Sequence, residues 1–191
     1  VYRKAISCWG ISFVSWWKNN ISGMELKDCI LLAGGKGTRL QTVVSDKPKC
    51  LADIQGNPFL AYILRQISQY QIRQLVLSVG YLKEMVMQFM EQLQPALPFP
   101  VCYATEDEPL GTGGAVMHAM SYCQTDDVLV LNGDTMFDVN LDALVAFQKQ
   151  KQSDCTLALK PMAAADRYGL VDLNADHQIT AFHEKKAGSS G

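Results

Sequence analysis

The sequence predicts an α/β chain with a mainly parallel central sheet. Two observations predict it. Short apolar runs at 30–33, 75–79 and 127–131 alternate with segments of helical periodicity, the pattern of repeated βαβ units. The first run also passes straight into Gly34, Gly35 and Gly37, a turn of the kind found where a parallel strand feeds a ligand loop.

The elements follow in order. Residues 30–33 read as a buried strand and 38–44 as loop or short helix. Asp46 to Lys49 is loop, because Pro48 disfavours helix before it, and 50–54 is a short strand. Gly56-Asn57-Pro58 is turn chemistry, with Asn57 able to cap a helix over 59–70 that faces Leu60, Ile63, Leu64 and Ile67 inward. A strand at 75–79 leads to a helix over 81–93, with Met85, Phe89 and Leu93 inward and its methionines as core filler. Pro95, Pro98 and Pro100 mark a loop before a strand at 101–104. Then come a helix at 115–122, a buried strand at 127–131 and a helix over 141–151 that buries Leu144 and Phe147. Asp138 reads as a structural or capping residue. A strand at 155–159 and two strands joined at Asn174-Ala175-Asp176 complete the pattern.

Composition narrows the function. A chain of 191 residues, 48% hydrophobic and 19% charged, is long enough for one core-bearing domain. A net charge of −2 gives no electrostatic footprint for nucleic acid or a membrane surface, so any cationic site must be local. The six cysteines are widely spaced with no C-x-x-C, which reads as scattered free thiols in a reducing, cytoplasmic setting.

Residues 1–23 stand apart. They hold Trp9, Trp16 and Trp17, all the tryptophans of the chain. Tyr2-Arg3-Lys4 followed by an apolar stretch imitates a signal peptide. Gly10, Ser12 and Ser15 interrupt that stretch, no A-x-A site follows, and the run is too short to span a bilayer. The expectation is an extension outside the catalytic fold, with an interfacial helix as the alternative. The domain proper then covers 24–191.

Three stretches carry chemistry. The glycine turn at Gly34, Gly35 and Gly37 offers free N–H groups as an anion cradle. Lys36, Arg39, Lys47 and Lys49 add four cations, which together suit a polyphosphate. The turn is neither a Walker A loop nor a full dinucleotide fingerprint, and alone it is also an ordinary α/β turn. The second stretch is E-D-E-P-L-G-T-G-G-A from Glu106 to Ala115, a solvated acidic loop or a ligand loop. The third is Asn132-Gly133-Asp134, which sets an aspartate at the tip of a parallel strand, where α/β folds bind ligands or simply turn.

Taken together, G-G-K-G-T-R-L at 34–40 and P-K-C-L at 48–51 resemble the signature of the sugar-1-phosphate nucleotidyltransferases. The resemblance runs from about Met24 onward, and E-D-E-P-L-G-T-G-G-A and N-G-D-T-M-F-D-V-N-L look most like the heptose-1-phosphate guanylyltransferase group. It implies a Rossmann-like three-layer nucleotide-diphospho-sugar transferase fold (GT-A-like). Its substrates would be an NTP and a sugar 1-phosphate. The nucleotide would lie on Leu32, Ala33, Gly34, Gly35, Lys36, Gly37, Thr38, Arg39, Glu106 and Gly111. Asp134 matches the aspartate that holds Mg²⁺, and Lys49, Tyr168, Gly169, Glu184 and Lys185 match sugar-phosphate contacts. Arg39, Lys49 and Asp134 would carry catalysis. A carboxylate only accepts hydrogen bonds, and guanine offers two adjacent donors, so Glu106 favours GTP, with the adenine amine still open. Glu184-Lys185-Lys186 is otherwise a solvated charge run, and Leu170 departs mildly from the family's Y-G-V.

The family pattern continues past Gly191 to a second metal-binding aspartate, and no aspartate stands beyond Asp176. The expectation is a domain truncated at its C-terminus. Mannose, glucose or N-acetylmuramate 1-phosphate remain alternative substrates, as does a catalytically inactive binding domain of the same fold. A homo-oligomer stays open.

Overall fold

The computed structural model describes residues 27–35, 47–161 and 169–183. The chain divides into two compact units, Val1–Asp138 and Val139–Gly191.

The first unit is built on a four-stranded sheet. Its strands are β1 (Lys27–Leu32), β4 (Ile72–Val79), β5 (Val101–Thr105) and β6 (Val128–Asn132), in the order β5-β4-β1-β6, all parallel. Chain order runs outward from β1 through β4 to β5, then jumps back to the other side of β1. That reversal opens a crevice at the carboxyl ends of the central strands. β1 and β4 are buried at nearly every position, so both faces of the sheet are covered. Continuous apolar sequence in these strands has that cause.

Helices α1 (Phe59–Ile67), α2 (Lys83–Leu93) and α3 (Gly111–Met120) connect the strands. Leu60, Ile63, Leu64 and Ile67 form the buried face of α1, as their spacing predicts. In α2 the buried pair is Val86 and Met90, while Met85, Phe89 and Leu93 are half-buried. The apolar stripe there is two residues wide, and its centre lies one position on from the expected one. α3 packs on β1 and β4, where Ala115 and Ala119 let it approach closely.

Other expectations need correction. A short 3₁₀ turn occupies Lys49–Leu51, and β2 (Asp53–Ile54) pairs with β3 (Asn57–Pro58) as a small hairpin. Its turn is Gln55-Gly56, both at positive φ, with the Gly56 N–H donated to Asp53 Oδ1 at 2.9 Å. Asn57 therefore pairs in a strand and does not cap α1. α3 begins at Gly111, four residues before the predicted start, so the glycine turn is its first turn. Among the described strands β6 stands at one end of the sheet and is only partly buried, with Val130 exposed. Residues 155–159 form no ladder.

The second unit holds α4 (Leu141–Lys151) and the antiparallel pair β7 (Leu170–Leu173) and β8 (Ile179–His183). Asn140, not Asp138, caps α4, accepting from Ala143 N at 3.0 Å. Leu141 is its buried residue, and Leu144 and Phe147 are half-buried. The predicted turn at Asn174 is present, with Asn174 Oδ1 accepting from Asp176 N and Gln178 N.

One buried charge braces the far end of the sheet. Asp28 is 0% exposed, and its Oδ2 accepts from the backbone N–H groups of Gln124 and Thr125, while Arg73 lies 3.5 Å from Oδ1. These bonds tie β1 to the loop before β6. Asp28→Ala removes the acceptor shared by these two part-buried donors and Arg73, and should cost about 2 kcal/mol in urea unfolding. An unchanged midpoint would contradict that role.

Candidate functional site

One cleft among the described residues, about 570 Å³ in volume, opens at the carboxyl ends of the parallel strands. β1 and its following loop contribute Leu32, Ala33, Gly34 and Gly35. β4 contributes Ser78, the turn after it Gly80 and Tyr81, and the loop after β5 Glu106 to Pro109. The start of α3 adds Gly111 and Thr112, the end of β6 adds Asn132, Gly133 and Asp134, and the 3₁₀ turn adds Lys49 and Cys50.

The strand tips are joined by backbone bonds. Ala33 N donates to Ser78 O, Gly133 N to Leu32 O and Glu106 N to Val79 O, each at 2.8 Å. Two glycines are required by these approaches. A Cβ on Gly133 would stand 2.8 Å from Leu32 O, and one on Gly34 would stand 3.1 Å from both Glu106 Oε1 and Gly80 N. Gly34 is thus bare because the Glu106 carboxylate lies against it. Gly111 sits at φ +69, where a side chain would be strained.

Glu106 is anchored at both oxygens. Ser78 Oγ donates to Oε1 at 3.0 Å and Leu110 N donates to Oε2 at 3.2 Å. At another wall of the cleft, Lys49 Nζ lies 3.8 Å from Asp134 Oδ2, a loose pair of opposite charges with both side chains partly exposed. The cleft therefore offers a fixed acceptor pair at Glu106, a cation beside the Asp134 carboxylate, and the loop carboxylates Asp107 and Glu108. An acceptor pair suits a donor edge such as that of a base. The cation and the Asp134 carboxylate suit a phosphate and a metal ion.

Of the predicted site residues, Leu32, Ala33, Gly34, Gly35, Lys49, Glu106, Gly111 and Asp134 line this one cleft, although they span more than half of the sequence. Gly169 lies in the second unit, just before β7. Lys36, Gly37, Thr38, Arg39, Tyr168, Glu184 and Lys185 lie outside the described residues. Ser78 and Tyr81 also line the cleft and belong to none of the three motif stretches. The one signal for Ser78 was a hydroxyl inside an otherwise apolar strand.

Among the described residues, no three His, Cys, Asp or Glu side chains gather as a ready metal cage. The donor set fits Mg²⁺, which is commonly held by one or two carboxylates and by phosphate oxygens of the substrate. Asp134 is the residue placed to supply that carboxylate.

Residues 28–190 match the model of the nucleotidyl transferase family, and the chain belongs to that family. It is 40% identical over 164 residues to a D-glycero-alpha-D-manno-heptose 1-phosphate guanylyltransferase of Aneurinibacillus thermoaerophilus, covering 86% of this chain and 70% of that protein. A protein of the same description from Campylobacter jejuni is 37% identical, with 82% of this chain and 67% of the relative covered. The crystal structure of HddC from Yersinia pseudotuberculosis complexed with GMP-PN superposes with a TM-score of 0.69 at 28% identity, over 85% of this chain and 71% of that one. Among the described residues, no helix is long and apolar enough to cross a membrane.

Burial holds Cys29 and Cys50 of the first unit as protonated thiols. Burial pushes Cys50 up to about 12, with the Asp134 carboxylate adding to the rise, and burial pushes Cys29 to about 12 as well. All five described cysteines are free, and Cys155 is exposed. Brief alkylation of the native protein at pH 8, followed by peptide mapping, should label Cys155 and spare Cys29 and Cys50. Labelling of Cys50 as fast as Cys155 would contradict its placement.

Proposed function

We propose that this nucleotidyltransferase moves a guanylyl group from GTP to a heptose 1-phosphate, forming a GDP-heptose and releasing pyrophosphate. At the coarser level, nucleotidyl transfer to a sugar 1-phosphate is supported by the family match and by the relatives together. The observation that carries the finer reading is Glu106, a carboxylate anchored at both oxygens on the wall of the cleft. Guanine presents N1–H and N2–H side by side to such an acceptor pair, whereas adenine presents an acceptor at N1. The two guanylyltransferase relatives support the same base, and their descriptions support the heptose.

In the proposed reaction a phosphate oxygen of the sugar 1-phosphate attacks the α-phosphorus of GTP. The bond to the bridging oxygen breaks and pyrophosphate leaves in line. The attacking group is already anionic, so the protein need not remove a proton. Its work is alignment of two polyanions and neutralisation of their charge. The backbone from Leu32 and Ala33 through Gly34 and Gly35 would cradle the triphosphate, with Lys36, Gly37, Thr38 and Arg39 continuing that loop. Asp134 would hold Mg²⁺, which supplies charge neutralisation at the phosphates. Lys49 would clamp the sugar phosphate beside Asp134, and Lys185 would share that role. Tyr168, Gly169 and Glu184 would contact the sugar ring.

Pyrophosphate release across five nucleoside triphosphates and a panel of heptose, mannose, glucose and N-acetylmuramate 1-phosphates tests the reading. GTP with the heptose phosphate should turn over fastest. A preference for ATP, or for another sugar, would move the enzyme to a different member of the family. Asp134→Asn should lower turnover at saturating Mg²⁺ by about a hundredfold or more, and near-normal turnover would remove Asp134 from the metal site. Lys49→Ala should depress kcat more than it weakens GTP binding. Weaker binding with kcat unchanged would assign Lys49 to ground-state binding alone.

A further inference from the structure

We propose that Ser78 is a positioning residue for base selection: its hydroxyl locks the Glu106 carboxylate into the orientation that reads guanine. The proposal rests on the guanine reading above and adds to it the residue that enforces it.

Ser78 lies near the carboxyl end of β4, in the run Leu75-Val76-Leu77-Ser78-Val79. It is 1% exposed. It is the one side chain in that run with a hydroxyl, at a depth where burying one without a partner costs free energy. Its partner is Glu106 Oε1, at 3.0 Å. A carboxylate cannot donate, so the hydroxyl proton must point at Glu106.

The second anchor, Leu110 N on Oε2, is a backbone group on the loop that leads into α3. The two anchors grip opposite oxygens and fix the plane of the carboxylate. Each oxygen has about two lone-pair positions. Among the described residues one on each is taken, which leaves one on each for a ligand. Two free acceptors on one rigid carboxylate match the two parallel donors of guanine. They match a base with a single donor less well. With the hydroxyl gone, Oε1 has no fixed partner among the described residues and the carboxylate can rotate away from the bidentate pose.

Ser78 also sets the backdrop to this contact. Its backbone O accepts from Ala33 N, so the same residue holds the strand end that precedes the Gly34-Gly35 turn. Gly34 leaves open the space beside Oε1, where a Cβ would come within 3.1 Å.

The test is titration calorimetry with GTP and with ITP, which lacks the 2-amino group. The proteins are the wild type, Ser78→Ala, Glu106→Gln and the double variant. Ser78→Ala should weaken GTP binding about tenfold and ITP binding less, so the GTP/ITP ratio falls. In turnover, KM for GTP should rise while kcat holds. The double variant should bind GTP no worse than Glu106→Gln alone, because the hydroxyl acts through the carboxylate. Ser78→Cys keeps the volume with a weaker donor and should fall between, which covers the case in which the alanine variant folds poorly. If Glu106→Gln leaves the GTP/ITP ratio unchanged, the guanine reading fails and the Ser78 proposal goes with it. If Glu106→Gln collapses the ratio while Ser78→Ala and Ser78→Cys leave it intact, or weaken both nucleotides equally, the Ser78 proposal alone is overturned.

Discussion

The cleft depends on backbone hydrogen bonds that continue the sheet past its own strand ends. Ala33 N on Ser78 O, Gly133 N on Leu32 O and Glu106 N on Val79 O hold the exits of four strands together. Each of these strands then releases a different functional element. β1 releases the glycine turn, β4 the Gly80-Tyr81 corner, β5 the acidic loop and β6 the Asp134 turn. Because β1 lies between β4 and β6, the crevice opens at its end, as it does in other open parallel sheets with a reversal of strand order. Glycine at 34 and 133 is a consequence of that closeness, since a side chain at either point would push the tips apart or displace Glu106.

The arrangement divides the labour of a reaction between two anions. Nothing in it calls for a strong base or nucleophile, and the thiol in the cleft, Cys50, is held protonated by burial. What the cleft supplies is fixed charge and fixed direction: backbone N–H groups, Lys49 paired loosely with Asp134, the loop carboxylates Asp107 and Glu108, and Glu106, whose orientation is set by its neighbours. In nucleotidyl transfer most of the rate comes from such preorganisation.

Much of this was legible in the sequence, for identifiable reasons. Periodicity found α1 because its four buried residues, Leu60, Ile63, Leu64 and Ile67, repeat at helical spacing. Apolar continuity found the inner stretches of β1 and β4, where covered positions are apolar, and missed their starts, where Lys27, Asp28 and Gln74 are buried polar residues. The same signal overstated β6, since its place at one end of the described strands is a property of the sheet and not of the local run. The start of α3 was missed because three glycines in four positions read as a turn, and tertiary packing on β1 and β4 outweighs their poor helix propensity. Glu106, Lys49 and Asp134 were found through short motifs that local chemistry explains. Their meeting in one cleft, and the part played by Ser78, depend on strand order and register, which no local pattern carries.

The most direct test of this account is a crystal structure of the protein with a non-hydrolysable GTP analogue and Mg²⁺. The account predicts guanine N1–H and N2–H on the two oxygens of Glu106, the triphosphate over the Gly34-Gly35 turn and the metal on Asp134. A nucleotide bound with its base turned away from Glu106, or bound outside this cleft, would contradict it.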